Sequence, residues 1–178
     1  ALAALFAGVG FDDIATRAIA GTCAFKDFDT FWRTQTPLMH PVGKLIAAKN
    51  PLLYVGGGIL LADAAKELRE FAEHMQLPVA HTLMGKGALP DDHPLILGMT
   101  GFWGTKFIND KTRSADWVLG LGTRFSEADC SSWEEKYTFR MPPTKLIHID
   151  IDPAEIGRNF PAAIGAQFAR PGRLVIDV

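Results

Sequence analysis

The chain has 178 residues, 48% hydrophobic and 21% charged, with a net charge of −2 at pH 7. That length suits one domain with its own core, and that charge offers no bulk attraction to nucleic acid or to an anionic membrane. No apolar run approaches the roughly 20 residues that span a bilayer, and the apolar start ALAALFAGVG lacks the basic flank of a secretory signal. Cys23 and Cys130 make neither a metal motif nor a disulfide framework. The expected setting is a reducing cytoplasm.

Residues 1–37 show no clean period and read as loosely ordered, with Gly8 and Gly10 stopping a short helix face at Leu2, Leu5 and Phe6. From Pro37 the pattern sharpens. Val42 to Ala48 reads as a short helix turning Leu45 and Ile46 inward. Pro51 to Val55 is a short apolar run followed by Gly56, Gly57 and Gly58, as expected of a parallel strand buried on both faces. Ile59 to Met75 reads as one amphipathic helix, with Leu60, Ala64, Leu68 and Phe71 at helical spacing. Pro78 to Thr82 is a second strand, Met84 to Asp92 a glycine- and proline-punctuated loop, and Gly104 to Ala115 a second helix. Trp117 to Leu121 and Lys145 to Ile151 are a third and a fourth strand. Pro153 and Glu155 start a helical turn, with Asp152 as its cap.

Strands alternating with helices predict an open, parallel, Rossmann-like α/β sheet with helices on both faces. Ligands of such sheets lie beyond the carboxyl ends of the strands. The Gly56–Gly58 triplet, Thr82 to Gly85, Thr123 with Arg124, and Asp150 with Ile151 all follow strands and should line one edge. Glycines there let a backbone approach a phosphate, although the GxGxxG fingerprint is not met and a tight strand-to-helix turn explains them equally well. The Arg124 guanidinium suits a diphosphate; the plainer alternative is an ion pair with Glu127 or Asp129. Asp150 suits ribose hydroxyls; the plainer alternative is a helix cap or a solvated loop carboxylate, a role that fits Asp152 better. Trp103, set among glycines, either stacks on a flat ligand or covers the core. None of the five histidines has metal-ligand spacing, and Ser126, Ser131 and Ser132 lie outside any nucleophile elbow. No catalytic or metal-binding residue is assigned.

Five stretches in order resemble the central domain of thiamine-diphosphate-dependent enzymes, nearest to acetolactate (acetohydroxyacid) synthase: LYVGGG from Leu53, TLMGKGALP from Thr82, GMTGFWGT from Gly98, ADWVLGLGTRF from Ala115 and IHIDIDPAEIG from Ile147. The resemblance covers about residues 38–160. Residues 161–178 resemble the start of the cofactor-diphosphate domain, just before its Gly-Asp-Gly metal motif, and residues 1–37 faintly resemble a remnant of the pyrimidine-binding domain. A fragment of a longer enzyme is therefore implied.

The resemblance implies a parent that uses thiamine diphosphate and Mg²⁺ to decarboxylate and ligate small 2-oxo acids, as a homo-oligomer. It implies FAD in this domain, on Gly56, Gly57, Gly58, Thr82, Leu83, Met84, Gly101, Trp103, Gly104, Thr105, Arg124, Asp150 and Ile151. Trp103 departs from the histidine of many synthases. Relatives of the oxalyl-CoA decarboxylase type hold ADP in this domain, so that type and the sulfoacetaldehyde acetyltransferase type are the enzymatic alternatives. A catalytically silent nucleotide-binding or structural module is the alternative outside enzymes. A sirtuin-like deacylase would need a four-cysteine zinc module that two cysteines cannot supply.

Overall fold

The structure, a computed structural model, describes residues 43, 45, 47–168 and 174–177. The expectations for residues 1–37, including Cys23, lie outside the described residues, as does Ile46.

Among the described residues seven strands form one sheet, in the order β3-β2-β1-β4-β5-β6-β7. They are β1 (Pro51–Val55), β2 (Val79–His81), β3 (Ile96–Met99), β4 (Trp117–Leu121), β5 (Lys145–Asp150), β6 (Ile164–Phe168) and β7 (Leu174–Asp177). All neighbours from β3 to β6 run parallel, and β7 pairs antiparallel with β6. The predicted parallel α/β sheet is therefore present, with an antiparallel strand added at one edge. The α-helices delimited among the described residues are α1 (Gly58–Leu61), α2 (Ala65–Met75), α3 (Lys106–Arg113) and α4 (Glu127–Cys130).

Alternation along the strands divides the core in two. Leu53 and Val55 of β1 join Val79, Leu119 and Ile147 on the first face, where α2 adds Leu68 and Ala72. Leu52 and Tyr54 join Ala80, Val118 and Leu146 on the second, where Phe125, Cys130, Phe139 and Phe160 complete the cover. Helices lie on both faces, as the sequence predicts. Burial pushes the Cys130 thiol far above its ordinary range, and the neighbouring Asp129 adds to the shift. That makes it a packing group rather than a reactive one.

Several elements differ from expectation. The helix read from Ile59 to Met75 is broken, because Asp63 takes a left-handed backbone (φ 52°) between α1 and α2. Leu60 is therefore 42% exposed instead of turning inward. The second helix begins at Lys106, where Thr105 accepts the Ile108 N–H through its hydroxyl at 3.3 Å and so caps α3. β3 is a strand that the sequence pattern does not predict. At Asp152 the side chain accepts the Ala154 N–H at 2.9 Å, and turns rather than a helix follow. Of the helix expected over 42–48, the Ala47 N–H donates to the Gly43 carbonyl and Leu45 is buried.

Candidate functional site

The chain passes from β1 through α1 and α2 to β2 on one side, while β4 lies on the other side of β1. A crevice belongs beyond the carboxyl ends of strands at such a reversal. A cleft of about 440 Å³ lies there, formed by the turns after β1, β2 and β4. Its volume falls in the range of small-molecule sites, roughly 300–1,000 Å³.

The floor is a pair of interlocked turns. The Gly56 N–H donates to the Leu121 carbonyl at 2.9 Å and the Gly58 N–H to the Gly122 carbonyl at 3.1 Å. A Cβ at Gly56 would stand 2.1 Å from the Gly122 oxygen, and one at Gly58 would stand 2.7 Å from the Gly122 Cα. Gly122 itself has φ +55°. These glycines are required by backbone-to-backbone packing, and the two N–H groups are already spent. The turn reading thus accounts for Gly56 and Gly58 without a ligand.

Arg124 stands differently. It is exposed, it lines the cleft, and its guanidinium makes no hydrogen bond or ion pair with any described residue. The ion pair with Glu127 or Asp129, weighed from the sequence, is not made. Its carbonyl accepts from Asn159 Nδ2 at 2.9 Å, which holds the backbone while leaving the side chain to solvent.

The opposite wall is the turn after β2. The Thr82 hydroxyl accepts the Gly85 N–H at 3.0 Å and fixes the 3₁₀ turn Leu83–Gly85, so its oxygen serves the turn first. Met84 (71% exposed) joins Leu60 and Leu61 (92% exposed) in presenting apolar surface at the cleft.

Asp129 ties the walls together. Its carboxylate accepts the Leu83 N–H at 3.2 Å and the Ser126 hydroxyl at 2.5 Å. Its carbonyl accepts the Thr100 hydroxyl at 2.8 Å and the Tyr54 hydroxyl at 3.3 Å. Burial drives the Tyr54 phenol well above its ordinary range, and the Asp129 carboxylate adds to it, so it stays protonated and able to donate. Behind Arg124, buried His148 keeps the strand end in place. Its Nδ1 accepts the Gly157 N–H at 3.3 Å, so Nε2 carries the proton and donates to the Thr123 carbonyl at 2.7 Å. Burial lowers the pKa of His148.

The structure thus gathers Gly56, Gly57, Gly58, Thr82, Met84 and Arg124 into one cleft. Leu83 contributes its N–H to Asp129 from the edge. The others lie elsewhere. Asp150 is buried at the end of β5, where its carboxylate accepts the Asp152 N–H at 3.0 Å, and the exposed Ile151 follows it. Gly101, Trp103, Gly104 and Thr105 form the turn after β3. There Gly101 (φ +75°) packs against the Ala128 carbonyl of α4. Trp103 is half exposed, edge to face with Phe102, and neither lines the cleft nor covers the core.

Thr123, expected at this edge, lines the cleft as well, whereas sequence reasoning missed Leu60, Leu61, Gly122, Ser126 and Asp129 as lining residues. Ser126 with Asp129 matches the spacing of a capping box after a strand, which could have drawn attention to the pair. Among the described residues no group of three His, Cys, Asp or Glu side chains is placed to hold a metal.

Residues 41–169 match the model of the thiamine pyrophosphate enzyme central domain. The chain is 47% identical over 131 residues to the "Probable acetolactate synthase large subunit" of Methanocaldococcus jannaschii, covering 70% of this chain and 22% of that protein. It is 43% identical over 120 residues to the acetolactate synthase large subunit of Haemophilus influenzae, covering 67% and 20%. It is 47% identical over 161 residues to the acetolactate synthase of Mycobacterium avium, covering 83% and 24%. The chain therefore spans about a fifth to a quarter of the length of these relatives. It belongs to the thiamine pyrophosphate enzyme family, as a central domain of the acetolactate synthase-like kind.

Proposed function

We propose that this domain holds the nucleotide part of FAD in the cleft between β1 and β4, within a longer thiamine-diphosphate- and Mg²⁺-dependent enzyme that decarboxylates and joins small 2-oxo acids. The observation that carries the reading is Arg124: an exposed guanidinium without a partner among the described residues, beside a cleft at the sheet's reversal point. Guanidinium forks suit diphosphates. Leu60, Leu61 and Met84 offer the apolar surface that a flat ring would cover. Thiamine diphosphate supplies the electron sink of the parent reaction, and the protein orients it.

The residues of this chain contribute binding and orientation. Arg124 neutralises phosphate, Thr82 fixes the turn that carries Met84, and the interlocked glycines set the floor. No catalytic or metal-binding role is proposed for any of them. The same reading divides the chain into a pyrimidine-domain remnant over 1–37, the central domain over 38–160 and the start of the diphosphate domain over 161–178. It also places the parent in the cytoplasm as a homo-oligomer. Among the described residues no helix is long and apolar enough to cross a membrane.

A second reading has its own support. Gly56 and Gly58 are explained by packing against Gly122 alone, which suits a structural domain that binds no nucleotide. The flavin spectrum of the full-length protein, with chromatography of nucleotide released on denaturation, separates the readings. Stoichiometric FAD supports the first; ADP in its place points to the oxalyl-CoA decarboxylase type; neither nucleotide supports the structural domain. Under the first reading, Arg124→Gln should lower nucleotide affinity about tenfold or more while changing unfolding free energy by no more than about 0.5 kcal/mol.

A further inference from the structure

We propose that Asp129 sets the ligand preference of the cleft, accepting a hydrogen-bond donor such as a ribose hydroxyl and turning away a phosphate at the same place. The proposal rests on the nucleotide-binding reading above and deepens it.

Among the described residues the cleft is lined by one cation, Arg124, and one carboxylate, Asp129. Asp129 cannot swing aside. Its carbonyl is held by the hydroxyls of Thr100 and Tyr54, which reach it from the ends of β3 and β1. Its side chain is held by the Leu83 N–H from the turn after β2 and by Ser126 from its own turn. Four anchors from the ends of four adjacent strands therefore fix one charge in place. The backbone beneath is equally fixed, because Gly101 packs against the Ala128 and Asp129 peptide with no room for a Cβ.

A carboxylate has about four acceptor positions, and the two protein donors use about half of them. The remainder can receive hydroxyl or amine protons from a ligand. A phosphate in the same position would meet a like charge a few ångströms away, in a partly desolvated cleft where that repulsion is strong. The cleft is thus polarised: Arg124 takes the phosphates, and Asp129 demands a donor at the other contact. The ligand class this selects is a nucleoside diphosphate with free ribose hydroxyls.

The test uses isothermal titration of the full chain with ADP and with 2′-phosphoadenosine 5′-diphosphate, which keeps the 5′-diphosphate and carries a further phosphate on a ribose hydroxyl. Wild type should prefer ADP by about tenfold or more. Asp129→Asn keeps an oxygen for the Leu83 N–H and removes the charge, and should bring the two ligands close to parity. Ser126→Ala removes the donor that partly neutralises Asp129, and should widen the preference. A merely structural role would weaken both ligands alike and leave the ratio in place.

An unchanged ratio in Asp129→Asn, or equal binding of both ligands by wild type, overturns the assignment while leaving nucleotide binding intact. Binding of neither ligand to wild type overturns both. If Asp129→Asn fails to fold, as judged by circular dichroism, Ser126→Ala decides: an unchanged ratio there also sinks the proposal.

Discussion

The sheet face that carries α2 is aliphatic, whereas the opposite face is aromatic and tied by hydrogen bonds. Leu53, Val55, Val79, Leu119 and Ile147 meet Leu68 and Ala72 on the first face. A groove of about 320 Å³ remains there, lined by side chains that include Ile59, Phe71, Leu121 and Ile149. On the second face, Phe125 contacts Tyr54, Phe139, His148 and Phe160 at centroid distances of 5.0 to 5.6 Å, mostly edge to face. Dispersion and area removed from water hold the first face, and neither depends on direction. The second adds geometry: Tyr54, His148 and Thr100 each aim a polar atom at the backbone of the turns that shape the cleft. One face supplies stability, and the other also positions the site.

Phe125→Ala tests that division most severely. It removes the hub of the aromatic cluster beside Arg124, and should cost about 3–5 kcal/mol in denaturant unfolding while also weakening nucleotide binding. Leu53→Ala should cost about 2–5 kcal/mol yet leave nucleotide affinity in the folded protein unchanged. If Leu53→Ala weakened binding as much as Phe125→Ala does, the two faces would not differ in role. Tyr54→Phe keeps the ring and deletes the hydroxyl, so about 0.5–1.5 kcal/mol should be lost, with a measurable fall in affinity through the looser Asp129 carbonyl.

The gentlest probe is pH. Burial holds the folded-state pKa of His148 below its ordinary value of 6.5. The unfolded chain therefore takes up the proton first as pH falls, and the folded state loses stability. This contribution is fully present above the unfolded value and declines as pH drops through the depressed folded one. Unfolding curves at pH 7.5 and 5.5 should show the loss, and His148→Gln should narrow it. An unchanged gap would remove His148 from the account.

The strands that could be read from sequence were short apolar runs: β1 and β4, each closed by glycine, β2 between Pro78 and Thr82, and β5, where Leu146, Ile147 and Ile149 surround His148. β3 escaped because Ile96 to Met99 is short, follows the proline-rich bend near Pro94, and contains Gly98 in a left-handed backbone (φ +114°). The break after Leu61 escaped because Asp63 gives no periodicity signal, and its neighbours are as compatible with helix as with turn. The cleft was half legible for a related reason. Arg124 and the glycines follow strands directly, so the strand-end rule finds them. Asp129 matters through its bond to Leu83, 46 positions away in sequence, and no local pattern carries that. Asp150 shows the converse: it sits at a strand end as the rule requires, but its carboxylate turns back to its own loop.

The meshing of Gly56 and Gly58 with Gly122 also governs how the molecule can move. With no side chains between them and both N–H groups committed across the seam, the turns after β1 and β4 are geared to each other. Neither can flap alone, so any widening of the cleft must come from the α1 and Met84 side, where apolar side chains stand in solvent. Hydrogen exchange should register this as a lopsided mouth, with slow amides at Gly56, Gly58 and Gly122 facing faster ones across the cleft.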